Sequence, residues 1–388
     1  MVPNGWENVL LGEVFDFRNG INADKSQYGQ GVKFVNVMDV FGNNILTEPK
    51  IIGRISISDK KLDDNRLEYG DVLFNRTSET FDEIAMSAVY LDDADATFGG
   101  FVIRGRPLTN NLDPKYTVYA FQDSNFRKQV IKLGQGAVRA NIGQKDLVKV
   151  ELLVPPFSEQ QKIAKILSTW DKAISTTERL IENSTQQKKA LMQQLLTGKK
   201  RLLDESGKRF DGEWSSVLLG DISHITTGSS NREDSSLTGE YAFFDRSIDV
   251  RTSGIFLFDA EAVIVGGEGQ DFVPKYFEGK FDLHQRTYAI MDFENAYGKF
   301  LFYYIGYYRH YFLSQAVGST VKSLRLPMFQ KMPINLPSVK EQQKIATVLT
   351  NADKEIELLE QQLADLQQEK KALMQVLLTG KKRILIDG

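Results

Sequence analysis

Cysteine is absent from the 388-residue chain. That absence excludes disulfides, thiolate nucleophiles and cysteine-based zinc sites together, and it fits a reducing cytoplasm. Histidine is nearly absent: His224, His284 and His310 are too scattered for a histidine-rich metal site, and none forms an HExxH pair. No run of eighteen apolar residues occurs, and Met1-Val2-Pro3-Asn4-Gly5-Trp6 lacks the basic start and apolar stretch of a secretory signal. The expectation is a soluble cytoplasmic protein without membrane contact. An excess of positive charge is missing too, since 48 Lys and Arg stand against 51 Asp and Glu, a formal net of −3. A protein that grips phosphates alone should be basic overall.

What the chain does contain is a repeat. EQQKIA begins at Glu159 and again at Glu341, and KKALMQQLLTGKKR (188–201) returns as KKALMQVLLTGKKR (370–383), both at an offset of 182 (341 − 159). From Glu159 to Arg201, 25 of 43 positions match their partners without a gap. A weaker echo upstream aligns Trp6, Val9, Leu10, Leu11 and Gly12 with Trp214, Val217, Leu218, Leu219 and Gly220. The chain is a duplication.

The repeated segments carry heptads. In the first copy the seam is Ile163, Leu167, Trp170, Ile174, Thr177, Ile181, Ser184, Lys188, Leu191 and Leu195. In the second it is Ile345, Leu349, Ala352, Ile356, Leu359, Leu363, Leu366, Lys370, Leu373 and Leu377. The same lysine interrupts both, a polar break that could fix register. Ser158 with Gln161, and Ser338 with Glu341, have capping-box spacing, while Gly198 and Gly380 supply C-terminal glycines. At about 1.5 Å per residue each helix would span roughly 55 Å. Connectivity favours antiparallel packing of the two, with unlike domains at opposite ends, because parallel packing would stretch the intervening domain along the whole rod.

The expected fold class is mixed α/β: residues 1–154 form one domain, 155–201 the first helix, 202–336 a second domain and 337–388 the second helix. Segments 33–40, 69–79 and 98–105 read as strands before a helix near 114–133. Segments 242–250, 258–270 and 286–292 read as strands before a helix near 297–317. Each domain ends in a glycine-bearing basic loop, GQGAVRANI from Gly134 and GSTVKSLRL from Gly318.

This order of divergent domain, repeated helix, divergent domain and repeated helix resembles the specificity subunit of Type I restriction–modification systems. The residues that carry the resemblance are the paired EQQKIA entries after Pro155-Pro156 and Pro337, and the paired LLTGKK exits. It implies two target-recognition domains that read a bipartite DNA sequence. It also implies helices that dock two adenine-methyltransferase subunits, with restriction–translocase subunits completing the enzyme. S-adenosylmethionine would sit on the methyltransferase, and this chain would be non-catalytic and hold no cofactor. Duplicated docking surfaces for two copies of one partner would then explain the repeat.

Rival readings are weaker. Val154-Pro155-Pro156-Phe157 looks like the catalytic loop of amino-methyltransferases, but valine cannot bond a flipped base's amine. Val265-Gly266-Gly267-Glu268-Gly269 is a glycine-rich turn without the dinucleotide fingerprint. Asp271 with Glu278-Gly279-Lys280 mimics a nuclease's Mg²⁺ set, yet a solvated turn explains the spacing better. A coiled-coil adaptor whose end domains bind proteins also remains open. The aromatic stripe Phe300, Tyr303, Tyr304, Tyr307, Tyr308 and Tyr311 reads as core rather than a base-stacking platform.

Charge is uneven. The first helix, Glu159 to Arg201, has nine basic and four acidic residues, whereas its copy has seven of each. Much of the phosphate affinity should therefore come from partners, and base reading from loops on the end domains. The candidate readers are Arg76, Thr77, Ser78, Arg139 and Asn141 in the first domain, and Arg246, Gln270, Lys322, Ser323 and Arg325 in the second. Arginine can grip guanine, and Asn or Gln adenine, in bidentate fashion. Lys199-Lys200-Arg201 and Lys381-Lys382-Arg383 either oppose helix dipoles or touch a partner or DNA.

Overall fold

Proline cannot continue a strand's hydrogen bonding, and Pro155-Pro156 turns strand Glu151–Val154 into the first long helix, Phe157–Leu196. The computed structural model describes residues 2–384; residues 1 and 385–388, at the outer edges of the terminal segments, lie outside the described residues. The second long helix runs Val339–Leu377. Ser338 caps it, its Oγ accepting from the Glu341 amide at 3.4 Å. The expected capping box at Ser158 is not formed. Pro156 occupies the cap position instead, its carbonyl accepting from Glu159 and Gln160 amides at 2.8 and 3.0 Å, and Ser158 lies inside the helix. Both helices close on glycines in the left-handed region, Gly198 at φ +70° and Gly380 at φ +66°.

Contacts divide the chain into two compact units, Met1–Thr177 with Gln362–Gly388, and Glu178–Gln361. In the first, a five-stranded sheet has the order Phe15–Asn19, Val102–Pro107, Val72–Asn75, Ser87–Tyr90, Ile45–Leu46; only the last pair is parallel. Its central strand is buried on both faces. Val72 and Phe74 join a core with Phe121, Phe126, Ile163, Leu167 and Leu377, whereas Leu73 joins Val35, Tyr90 and Phe98 on the other side. The helix ends are thus part of the domain's own core.

The second unit has a seven-stranded sheet, ordered His224–Thr227, Thr287–Met291, Phe258–Gly266, Lys275–Leu283, Tyr241–Phe244, Arg251–Ser253, Ser235–Ser236. One face packs Val263, Val265 and Ile290 against Phe300, Tyr304, Leu195, Ile345 and Leu349. The other packs Ile264 and Ala289 against Phe244 and Phe281. Of the aromatic stripe, Phe300, Tyr303 and Tyr304 are buried and Tyr307, Tyr308 and Tyr311 half-buried, all packed in this core.

The structure corrects several expected elements. The strand read over 33–40 ends at Val35, because Asn36 starts helix Val37–Gly42 with its N–H donating to Asp39 at 2.7 Å. The helix read over 114–133 is two, Pro114–Ala120 and Ser124–Leu133, since Asp123 accepts the Asn125 and Phe126 amides and starts a new cap. Likewise 297–317 splits into Gly298–Tyr307 and His310–Gln315.

Within each unit the long helices run antiparallel. In the first, Glu159 meets Arg383 and Asp171 meets Lys370 (2.5 Å); in the second, Arg201 meets Glu341 (2.6 Å) and Lys188 meets Asp353. Every apolar seam residue named above is buried or half-buried. The lysines that break the heptads are therefore satisfied by aspartates of the facing helix. Each also lies over a tyrosine ring, Lys370 over Tyr119 at 5.7 Å and Lys188 over Tyr303 at 5.8 Å. Those tyrosines donate to the same aspartates, at 2.6 and 2.5 Å, and burial followed by that bond raises both phenol pKa values.

Candidate nucleic-acid interface

EQQKIA is a fastening as well as a helix start. Glu159 is fully buried and accepts from Arg383, from the Trp6 indole N–H at 3.0 Å and from the Ile384 amide at 3.3 Å. Burial pushes its carboxyl up, but the bonds from Arg383, Trp6 and Ile384 outweigh it and hold the carboxyl below its ordinary value. Gln160 is buried beside it: its Oε1 accepts from the Asp113 amide at 2.8 Å and its Nε2 donates to the Asn111 and Pro155 carbonyls, both at 2.9 Å. Glu341 and Gln342 repeat the arrangement with Arg201, Tyr297, Asn295 and Pro337. Sequence reading missed these roles, taking Glu341 for a capping-box residue. The doubled Glu-Gln, identical in both copies, was the available signal.

So fastened, each domain presents one short ribbon. In the first unit, Thr77–Ser78 pairs antiparallel with Ala140–Asn141; in the second, Glu268–Gly269 pairs with Lys322–Ser323. The return strands obey the offset of 182 (322 − 140). So do the glycines that turn the chain, Gly136 and Gly318, both at φ +125°. A Cβ on either would lie 2.1 Å from the Arg139 carbonyl or 2.2 Å from the Val321 carbonyl, so the turn requires glycine. The basic loops named from sequence thus match from Gly136, rather than Gly134, to Gly318.

The candidate readers fall into two groups. Arg76, Arg139, Arg246, Gln270 and Arg325 are exposed. Gln270 donates to the Thr320 carbonyl at 3.2 Å, which positions its side chain across the ribbon's turn. Other readers are engaged in holding the ribbons. The Thr77 hydroxyl donates to Asn141 Oδ1 at 2.8 Å, and the Asn141 amide donates to the Arg139 carbonyl at 3.0 Å. Ser78 is buried, its hydroxyl on Glu83 at 2.9 Å. Lys322 and Ser323 are half-buried.

Beside the first ribbon lies a cavity of about 710 Å³ with Thr77, Arg139, Met38, Met86 and Phe101 in its wall. Beside the second, sequence reading missed a charged group, Arg232, Asp245, Glu268, His284 and Arg286, which joins Arg246 around a cavity of about 260 Å³. Arg286 had been taken only as the first residue of a strand; the polar turn His284-Gln285-Arg286 was the signal. His284 is kept toward its neutral form by burial, with Arg286 and Arg246 adding to the effect against Asp245 and Glu268.

The motifs that suggested enzymatic chemistry have other places. Val154 closes a strand and Phe157 opens the long helix. Asp271 pairs with Arg309 at 3.2 Å, and Glu278-Gly279-Lys280 lies within strand Lys275–Leu283, which sequence reading had not recognised. Among the described residues no group of His, Asp and Glu could hold a metal ion, and no helix is long and apolar enough to cross a membrane.

Residues 3–184 and 211–368 match the family model for the Type I restriction modification DNA specificity domain. A chain described as the type I restriction enzyme MjaX specificity subunit of Methanocaldococcus jannaschii is 25% identical over 409 residues, covering 99% of this chain and 95% of that one. The EcoDI specificity subunit of Escherichia coli is 29% identical over 167 residues, 43% of this chain and 37% of that one. Among solved structures, the Type-I restriction-modification system S subunit from M. genitalium shares the fold, with a TM-score of 0.62 at 17% identity over 96% of each chain. The two matched segments, one on each side of the first helix's end, repeat the duplication seen in the sequence, and this chain belongs to the Type I restriction–modification DNA specificity family as a specificity subunit.

Proposed function

We propose that each unit reads one half of a bipartite double-stranded DNA target through its ribbon and the loops beside it. The long helices dock two copies of an adenine-methyltransferase subunit. S-adenosylmethionine belongs to that subunit, and restriction–translocase subunits join to complete the enzyme, which would work in the cytoplasm. Residues 1–154 and 202–336 are the two recognition domains in this reading, and the segments 155–201 and 337–388 contain the helices Phe157–Leu196 and Val339–Leu377 that carry the docking surfaces.

The observation that carries the reading is where the repeat is strict. Lys189, Ala190, Gln193, Lys199 and Lys200 equal Lys371, Ala372, Gln375, Lys381 and Lys382, and all ten are exposed. Packing within the chain does not demand identity at exposed positions. Two equivalent partner surfaces do. The ribbons, by contrast, keep their backbone and change their side chains, as readers of two different half-sites would.

Exchanging residues 1–154 for the matching domain of a relative should alter one half of the methylated sequence and leave the other intact. Sequencing of methylated adenines after co-expression with the methyltransferase reads this directly. A swap that alters both halves would overturn the assignment of one half-site to each unit, and DNA selection with no sequence preference would favour the adaptor reading instead. Docking has its own check. Lys189→Glu alone should lower the mass of the purified complex by one methyltransferase subunit, and Lys189→Glu with Lys371→Glu by two, as measured by native mass spectrometry. Two subunits retained in the double variant would remove these surfaces from the interface.

A further inference from the structure

In the second unit one carboxylate holds two arginines. Arg286 Nη1 donates to Glu268 Oε1 at 2.6 Å, and Arg246 Nη1 reaches Glu268 Oε2 at 3.3 Å. The Glu268 side chain is 18% exposed, whereas those of Arg246 and Arg286 are 56% and 64% exposed. The acid is set in the surface and the forks stand out from it. Remaining N–H groups on both guanidiniums point to no protein acceptor among the described residues.

The backbone under Arg286 is fixed on both sides. Its amide donates to His284 Nδ1 at 3.0 Å, and its carbonyl accepts from Gly267 at 2.8 Å. Glu268 is equally fixed, since it lies on the ribbon in register with Ser323. Gly267 tolerates this close approach only because it lacks a side chain; a Cβ there would stand 2.7 Å from the Arg286 carbonyl.

Two kinds of DNA group take both N–H groups of an arginine fork at once: a phosphate and the guanine edge. A phosphate between these forks would also approach the Glu268 carboxylate, and like charges repel. A guanine edge is neutral. It offers N7 and O6 to one fork, and its paired cytosine offers an N4 amino donor alongside. Donor, donor and acceptor on the protein then meet acceptor, acceptor and donor on the base pair. The carboxylate, a defect in a phosphate site, becomes part of the reading surface. Glu268 also restrains both arginines before DNA arrives, which lowers the ordering cost of a bidentate contact.

We propose that Arg286, held on Glu268 with Arg246 on the opposite oxygen, reads the guanine of a G·C pair in the half-site bound by the second unit. Glu268 accepts from the cytosine of that pair. The assignment rests on the reading that this unit binds one half-site, and it adds the base.

The test uses the full chain co-purified with its methyltransferase subunit, selecting duplexes from a randomised pool at two salt concentrations. The domain exchange above identifies which half-site belongs to the second unit. The wild type should select a guanine there. Arg286→Ala should relax that one position about 10- to 100-fold, with the other positions unchanged. Arg286→Lys, which keeps the charge and loses the fork, should relax the same position with an unaltered salt dependence. Glu268→Gln should lower the guanine preference at that position as well. If Arg286→Ala weakens binding to all sequences alike and flattens the salt dependence, Arg286 is a phosphate contact and the inference fails while the half-site reading stands. A half-site without guanine, or a guanine preference surviving in Arg286→Ala, overturns it too. A wild type that selects no sequence removes both.

Discussion

Replacing Arg201 with alanine is expected to destabilise the second unit by about 3–5 kcal/mol, the cost typical of leaving a buried charge without its partner. The geometry is one-sided. Glu341 is only 1% exposed and its carboxylate receives Arg201 Nε and Nη2, both at 2.6 Å, with no other side chain among the described residues donating to it. Trp214, which stands where Trp6 stands in the first unit, stacks under the Arg201 guanidinium at 5.8 Å but leaves its own buried indole N–H without a partner. Arg383→Ala should cost less, because Glu159 keeps the Trp6 indole and the Ile384 amide as donors. The contrast separates a charge effect from simple loss of packing, since both arginines cover a tryptophan. Chemical denaturation followed by hydrogen exchange in each unit measures it. The account is wrong if the two alanine variants lose equal stability, or if Glu341→Gln fails to recover part of what Arg201→Ala loses.

That fastening was half legible in the sequence. The heptads, their shared lysines and the doubled EQQKIA could be read directly, because helical periodicity and identity at a constant offset are local properties. Partner identity could not. Asp171 and Asp353 look like ordinary exposed helix residues until the antiparallel register sets them against Lys370 and Lys188. Glu159 and Glu341 sit where a capping acid belongs, and only tertiary structure shows them receiving arginines from the far end of the other helix.

The reading loops show the same division. Glycine turns and basic residues marked the segments that become ribbons, and the pairing of Thr77 with Asn141 joined candidates chosen separately. Arg286 escaped notice because its importance comes from Glu268, a residue eighteen positions away that had been read as part of a turn. Strand errors arose where alternation was ambiguous. VNVMDV alternates like a strand, yet the Asn36–Asp39 exchange at its centre is a helix start, and a local hydrogen bond prevailed over a two-residue period.

The second large effect should come from Gln342→Leu. The amide of Gln342 closes three backbone bonds at once, accepting from the Tyr297 amide at 2.8 Å and donating to the Asn295 and Pro337 carbonyls at 3.2 and 2.9 Å. Leucine is similar in size but returns none of them. Orphaning a buried backbone group costs about 1–3 kcal/mol, and Asn295, at φ +53°, holds its carbonyl in a conformation that depends on being tied down. A loss of about 3 kcal/mol or more is expected in the second unit, with the first unit's unfolding unchanged. Gln342→Glu should not restore it, since a carboxylate accepts from Tyr297 but cannot donate to two carbonyls. The loop secured by Gln342 leads into helix Gly298–Tyr307 and not into the ribbon at Glu268 and Lys322. At temperatures where the variant remains folded, its selected DNA sequence should therefore match the wild type's, so that lowered stability with an altered half-site would show the glutamine to act on the reading surface as well as on the fastening.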